Sequence, residues 1–260
     1  MTSEAKVPIT NISAVGLIHR ESDPSRIYID FKDDGLPVKA FRRTLCPVGG
    51  NWIGEGAKAD ADPLATFRRE LLEELSFEKV ERSSEEYVDL GIADLEVFGA
   101  VGGFSGAEVT AEDHADLAHL KRTISESAAP FGDYLTEIPK SVLDAADPEN
   151  KRNGFTVLVS YYRVGLSDED WTKLERLQRK FGNLSNESIS VILSLAEIVE
   201  KGIKCAFAHD IALRDFFRSR DCKGADGLPI YDGTHAERVH DPLGSYAEYL
   251  ERYDVAKTPL

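Results

Sequence analysis

The stretch GGNWIGEGAKADADPLATFRRELLEELSF, Gly49 to Phe77, decides how the rest of the chain is read. Within it, Asp62-Pro63 suits a helix start, because Asp caps free backbone amides and Pro fits the first helical position. The spacing predicts a helix from Pro63 to about Ser76. Leu64, Phe67, Leu71 and Leu75 fall on one apolar stripe at about 100° per residue. Glu70, Glu73 and Glu74 cluster on another face, at i, i+3 and i+4, within an arc of roughly 100°. Like charges so close repel, and i,i+4 pairs of one sign cost a few tenths of a kcal/mol in a helix. A hard divalent cation turns that cost into a binding site, because Mg²⁺ and Mn²⁺ prefer carboxylate and water oxygens.

Upstream, Ile12–His19 and Arg26–Phe31 (RIYIDF) read as strands joined through the polar turn ESDPS, so a hairpin is expected. Val38–Leu45 resumes an extended pattern that runs into CPVGG, where Pro47 and the glycines stop it. Downstream, the pattern predicts a strand at Leu95–Ala100 and a Gly-rich turn at GAVGGFSG, Gly99 to Gly106. A helix follows from Ala111 to about Ala128. Phe155–Val164 (FTVLVSYYRV) is the strongest buried-strand signal and is expected to lie centrally in a sheet. Helices are expected at Trp171–Phe181, Leu195–Lys201 and Ala208–Arg218, with a strand at Ser188–Leu193. This mixture indicates α/β or α+β architecture. Residues 102–153 read as an insertion in a domain spanning 1–220, and 221–260 as a C-terminal extension ending near the amphipathic SYAEYLERY.

Gly49–Phe77 resembles the Nudix box: a glycine, five residues, Glu, seven residues, then R-E-apolar-x-E-E-x-G-apolar. Gly49 and Glu55 match its first part, Arg69 to Glu74 its centre and Phe77 its last position. Two departures stand out. Thirteen residues separate Glu55 from Arg69, so GAKADA lengthens the loop by six, and counting backward from the helix puts Ala61 at the first Glu position. Ser76 replaces the glycine after the helix.

The resemblance implies an α/β/α sandwich around a mixed sheet. It also implies metal-dependent hydrolysis of the pyrophosphate in a nucleoside diphosphate linked to another group. On that reading Mg²⁺ or Mn²⁺ is held by Glu73 and Glu74, and Glu70 is a further ligand or the base. Arg69 orients a helix carboxylate through a charge-assisted hydrogen bond. Glu55 reaching back across the loop and a main-chain carbonyl of Gly49 or Gly50 are the alternatives for the remaining ligand. Glu187 is a second candidate base. Arg42 and Arg43 are candidate contacts for substrate phosphates, although strand alternation would point only one of them to a given face. A catalytically inactive nucleotide-binding or sensor module is the competing expectation, since fold does not guarantee chemistry.

Composition bounds the partners. The chain has 260 residues, 42% of them hydrophobic, and a net charge of −15, which argues against binding a nucleic-acid polymer. The opening MTSEAKVPIT shows no signal-peptide pattern, and no apolar run approaches the roughly 20 residues of a membrane span. A cytoplasmic protein acting on a nucleotide-type small molecule, with no membrane partner, is therefore expected, and a homodimer is compatible. Cys46, Cys205 and Cys222 offer no C-x-x-C pair and are expected to be free thiols. His114 and His119, like His235 and His240, are five apart, a spacing that does not align two imidazoles on a helix face.

Overall fold

The computed structural model describes residues 7–32, 34–56, 59–77 and 107–256. In chain order these form β1 (Val7–Ile9), β2 (Asn11–Arg20), β3 (Arg26–Lys32), β4 (Thr44–Cys46), β5 (Val48–Asn51) and α1 (Pro63–Glu74). Next come α2 (Ala111–Ser127), β6 (Ala129–Ile138), α3 (Lys140–Ala146), β7 (Phe155–Leu166), α4 (Asp168–Phe181) and β8 (Ile189–Ser194). The chain continues through α5 (Leu195–Lys201), α6 (His209–Ser219), β9 (His235–His240), α7 (Tyr246–Arg252) and β10 (Tyr253–Val255).

Eight of the described strands form one mixed sheet, in the order β4-β3-β2-β7-β6-β9, with β5 also on β2 and β8 on β3. The expected hairpin is present, and β7 is central, lying parallel to β2 from Asn11↔Val157 to Arg20↔Leu166. Helices cover both faces. On one, α1, α2 and α4 bury Phe67, Leu71, Leu120, Ile124, Trp171 and Leu174 against Ala14, Ile18, Tyr162 and Val164. On the other, α5 and α6 bury Ile198, Leu213, Phe216 and Phe217 against Leu17, Ile29, Val159 and Tyr161. Each such apolar side chain contributes about 1.5–3 kcal/mol on burial. The alternation of β2 and β7 supplies both cores, as a two-sided strand must.

One irregularity creates the site. β2 and β3 pair only at Ile18↔Tyr28 and His19↔Ile27, then separate. The chain enters the gap as β4 on β3 (Asp30↔Cys46) and leaves it as β5 on β2 (Ser13↔Asn51 to Gly16↔Val48), with Pro47 at the switch. Proline cannot donate to a ladder, so the change of partner falls where it costs least.

Several expectations are modified. Lys39–Phe41 is a single 3₁₀ turn, so Val38–Leu45 is extended only from Thr44. Arg43 takes a left-handed φ of 58°, and Thr44 Oγ1 donates to the Phe41 carbonyl to close the turn. Inside the stretch read as an insertion, β6 pairs with β7 along almost its whole length, so those residues belong to the sheet. Beyond residue 220, β9 extends the sheet on β6, and β10 pairs in parallel with β1. Leu95–Ala100 and Gly99–Gly106 lie outside the described residues. The three cysteines are free. Among the described residues no helix is long and apolar enough to cross a membrane.

Candidate functional site

Helix α1 begins as its sequence dictates: Pro63 sits in the first turn, and Asp62 accepts from Ala65 N at 2.7 Å. Its apolar stripe buries Phe67, Leu71 and Leu75 and packs Leu64 at the margin. Gly16 lies beneath it, where a Cβ would stand 2.4 Å from Phe67 Cε2. The helix ends when Leu75 turns extended and bridges to Ser185, and Ser76 N donates to the Leu184 carbonyl at 2.9 Å. Ser76 is not among the left-handed residues, so the motif's missing glycine carries no strain here.

The carboxylate face of α1 meets β5 at the gap in the sheet. Glu74 is only 3% exposed, and its Oε2 accepts from Gly49 N at 2.9 Å. Gly49 has a φ of +138°, and a Cβ there would lie 2.2 Å from the Ala14 carbonyl oxygen, so no other residue fits. At Gly50 the absent Cβ leaves room for Glu70, whose carboxylate would be 2.6 Å from it. Burial, and then the negative charge of Asp30, push the Glu74 carboxyl well above its ordinary range, against the opposing pull of Lys32 and the Gly49 amide. Burial likewise raises Glu70, although the Arg69 guanidinium opposes it. Ionising both carboxylates on this helix is thus disfavoured unless a further cation offsets the charge.

Arg69 ties the surroundings together. Its Nη1 donates to Glu70 Oε1 at 2.7 Å and Glu73 Oε2 at 3.2 Å, while Nη2 donates to the Asn51 carbonyl at 2.8 Å. Nε and Nη2 also donate to the two carboxylate oxygens of Asp60, each at 3.0 Å. Asp60 in turn accepts from Ile53 N and Thr66 Oγ1, so it anchors the lengthened loop to the start of the helix. A planar fork facing a carboxylate is the geometry in which Arg outperforms Lys.

A cleft of about 1240 Å³ opens beside these groups. Glu70, Glu74, Gly49, Gly50, Glu55 and Glu187 line it, as do Lys32, Arg152 and His209. Glu187 is carried there by the segment stapled to the end of α1, where Asn186 N donates to the Glu74 carbonyl. Not every expected residue arrives. Glu73 is 44% exposed, turned to Arg69 and absent from the cleft lining. Arg42 donates to the Leu36 carbonyl and Arg43 pairs with Asp34, and neither lines the cleft, because the 3₁₀ turn replaces the expected strand.

Lys32 and Arg152 are the cations that the cleft does contain, and neither was singled out from sequence. Lys32 shares a strand face with Asp30, two residues away. That pair of opposite charges at the end of a strand whose middle is IYI was the available signal. Its Nζ donates to Ser188 Oγ at 2.8 Å and lies 4.0 Å from Asp30 Oδ2. Burial alone would lower the ammonium, but the charges of Cys46, Asp30, Glu74 and Glu187 outweigh it and raise it above the ordinary lysine value. His209 was also missed. It follows two successive left-handed residues, Phe207 (φ 50°) and Ala208 (φ 58°), a conformation costing about 1–2 kcal/mol per residue.

Among the described residues no three His, Cys, Asp or Glu groups converge as a complete metal cluster. Mg²⁺ does not need one: it is commonly held by one or two carboxylates, several waters and the substrate's phosphates. Glu74, buried, and Glu70, half-buried beside Gly50, fit that incomplete kind of site. The histidine pairs do not contribute: His119 bonds Asp170 at 2.6 Å, His114 packs edge-on to Phe77, and His240 lies 2.9 Å from Asp133. No protein-family model matches the chain, and no curated protein matches it.

Proposed function

We propose that this chain is a Nudix-type pyrophosphohydrolase that cleaves the pyrophosphate of a nucleoside diphosphate linked to another group, with Mg²⁺ or Mn²⁺ as cofactor. The observation that carries the reading is the packing of buried Glu74 and half-buried Glu70, from one helix, against the Gly49–Gly50 strand at the edge of a large cleft. When bound, the metal polarises phosphate oxygens and lowers the pKa of its water. Glu74 and Glu70 would hold it, and Glu70 or Glu187 would take the proton of the attacking water. Lys32 and Arg152 would meet substrate phosphates, the role first expected of Arg42 and Arg43. Arg69 would position Glu70 and the loop without touching substrate.

The test is a turnover screen of nucleotide sugars, ADP-ribose, dinucleoside polyphosphates and nucleoside triphosphates with Mg²⁺ or Mn²⁺. Metal-dependent release of phosphate-bearing products that Glu74→Gln abolishes supports the reading. A second reading, a nucleotide-binding module without turnover, draws on Lys32, a cation of the chain's own placed among the carboxylates. Tight nucleotide binding with no products across the whole screen would favour it.

A further inference from the structure

The cleft has an end that the carboxylates do not explain. It is larger than the roughly 300–1,000 Å³ that usually encloses a drug-sized ligand, far more than a bare diphosphate fills. Besides Glu70 and Glu74 its lining holds an apolar group, Val157 and Val159 of β7 with Phe155 and Phe207, near Thr136 on the neighbouring strand. His209 stands in this lining. Lys32 lies within electrostatic reach of both Glu74 and His209, so the two ends adjoin through it.

The imidazole is fixed on one side only. Tyr161 Oη and His209 Nδ1 are 2.5 Å apart, and both residues are buried. Burial keeps the Tyr161 proton in place, and among the described residues its hydroxyl meets no acceptor besides Nδ1, so the O–H donates and Nδ1 accepts. The ring proton is then on Nε2. Burial also drives the His209 pKa down, to about 3, so the ring stays neutral. Among the described residues Nε2 has no hydrogen-bond partner, yet it is not sealed from solvent, and His209 lines the cleft. The left-handed pair Phe207-Ala208 sets this geometry, and consecutive backbone outliers persist where surrounding structure over-determines them, often at ligand sites.

We infer that this end is a subsite for an uncharged planar ring of nucleobase size, and that His209 Nε2–H donates to an acceptor atom on that ring. A charged group would be poorly placed against Val157, Val159 and Phe155, whereas an aromatic ring gains contact with Phe155 and Phe207. Tyr161 is a positioning residue that sets the tautomer. This inference rests on the proposed diphosphate end of the cleft.

Two non-hydrolysable probes separate the ends: α,β-methylene-ADP carries a ring and a diphosphate, and methylene bisphosphonate carries the diphosphate mimic alone. Binding of each, in Mg²⁺, is measured by calorimetry on the full chain and on His209→Ala, His209→Gln and Tyr161→Phe. Removing a buried donor should weaken the nucleotide about tenfold in His209→Ala and leave the bisphosphonate within about twofold. His209→Gln, which keeps an N–H near the Nε2 position, should recover most of the loss if folded. Tyr161→Phe should weaken the nucleotide alone by about threefold, since the tautomer is no longer set. Equal loss for both probes, or no loss for either, would overturn the subsite, as would a wild type that binds the nucleotide no more tightly than the bisphosphonate. If wild type binds neither probe, the proposed function fails and takes the subsite with it.

Discussion

Two buried carboxylates in this molecule have opposite electrostatic fates. Asp113, on α2, is 1% exposed and bonds Lys180 Nζ at 2.5 Å, Arg176 Nη1 at 2.8 Å and its own cap residue Thr110. Burial pushes its pKa up, but these partners overcome that and hold the carboxyl far below the usual range. Glu74, on α1, is similarly buried, receives one backbone N–H, and faces Asp30 and Glu187 as well as Lys32. Its pKa moves the other way. Asp113 has its counter-ions within the chain and clamps α2 to α4. Glu74 lacks enough counter-charge within the chain, so its ionised form is disfavoured, as expected where a cation from outside completes the site.

The largest expected effect breaks this contrast at the metal end. Glu74→Gln should lower metal-dependent turnover by about a thousandfold, since several kcal/mol of charge stabilisation depend on the site it holds. Steady-state rates in Mg²⁺ check it, and Asp113→Asn should leave the rate within about threefold if folded. Next comes Gly50→Ala. Its Cβ would meet the Glu70 carboxylate at 2.6 Å, the mobile end of a side chain, so Glu70 should swing away while the fold survives. Turnover should fall about a hundredfold with an almost unchanged melting temperature, as displacements near 1 Å can cost that much.

On stability the order reverses. Asp113→Asn should cost about 2 kcal/mol at pH 7, read by urea denaturation, because charge-assisted bonds to Lys180 and Arg176 are lost. A depressed carboxyl stabilises above its unfolded pKa of about 3.9, so the wild-type advantage should fade as pH drops below that value. Glu74→Gln should stabilise the metal-free protein. A carboxyl with a raised folded pKa costs stability as pH rises above its unfolded value of about 4.3, so the gain should be near zero at pH 4 and about 2–4 °C at pH 8. The smallest effect is Glu73→Gln: exposed and turned to Arg69, it should change turnover less than about threefold.

Periodicity carried most of the fold. Helix α1, the β2–β3 hairpin and central β7 follow from spacing and composition, because their burial is regular. β6 was illegible: it carries Pro130, Gly132 and Asp133, yet the first two stay paired on either side of a register shift, and Tyr249 Oη donates to the buried Asp133. The 3₁₀ turn at Lys39–Phe41 was hidden for the opposite reason, since its residues look extended and Arg43 gives no local sign of a left-handed φ. Glu70 and Glu74 could be found by helical spacing, and Gly50 and Arg69 through the resemblance to the Nudix box. Lys32, Arg152 and His209 come from distant segments and meet the site only after the sheet opens between β2 and β3.

Titration of Mn²⁺ into the metal-free wild type, Glu74→Gln and Asp113→Asn, followed by calorimetry at pH 7, tests the contrast most directly. The account predicts Mn²⁺ binding by wild type and by Asp113→Asn, and a loss of at least about tenfold in affinity for Glu74→Gln, because a neutral amide removes a charge that a hard cation requires. Equal Mn²⁺ affinity in wild type and Glu74→Gln would contradict it.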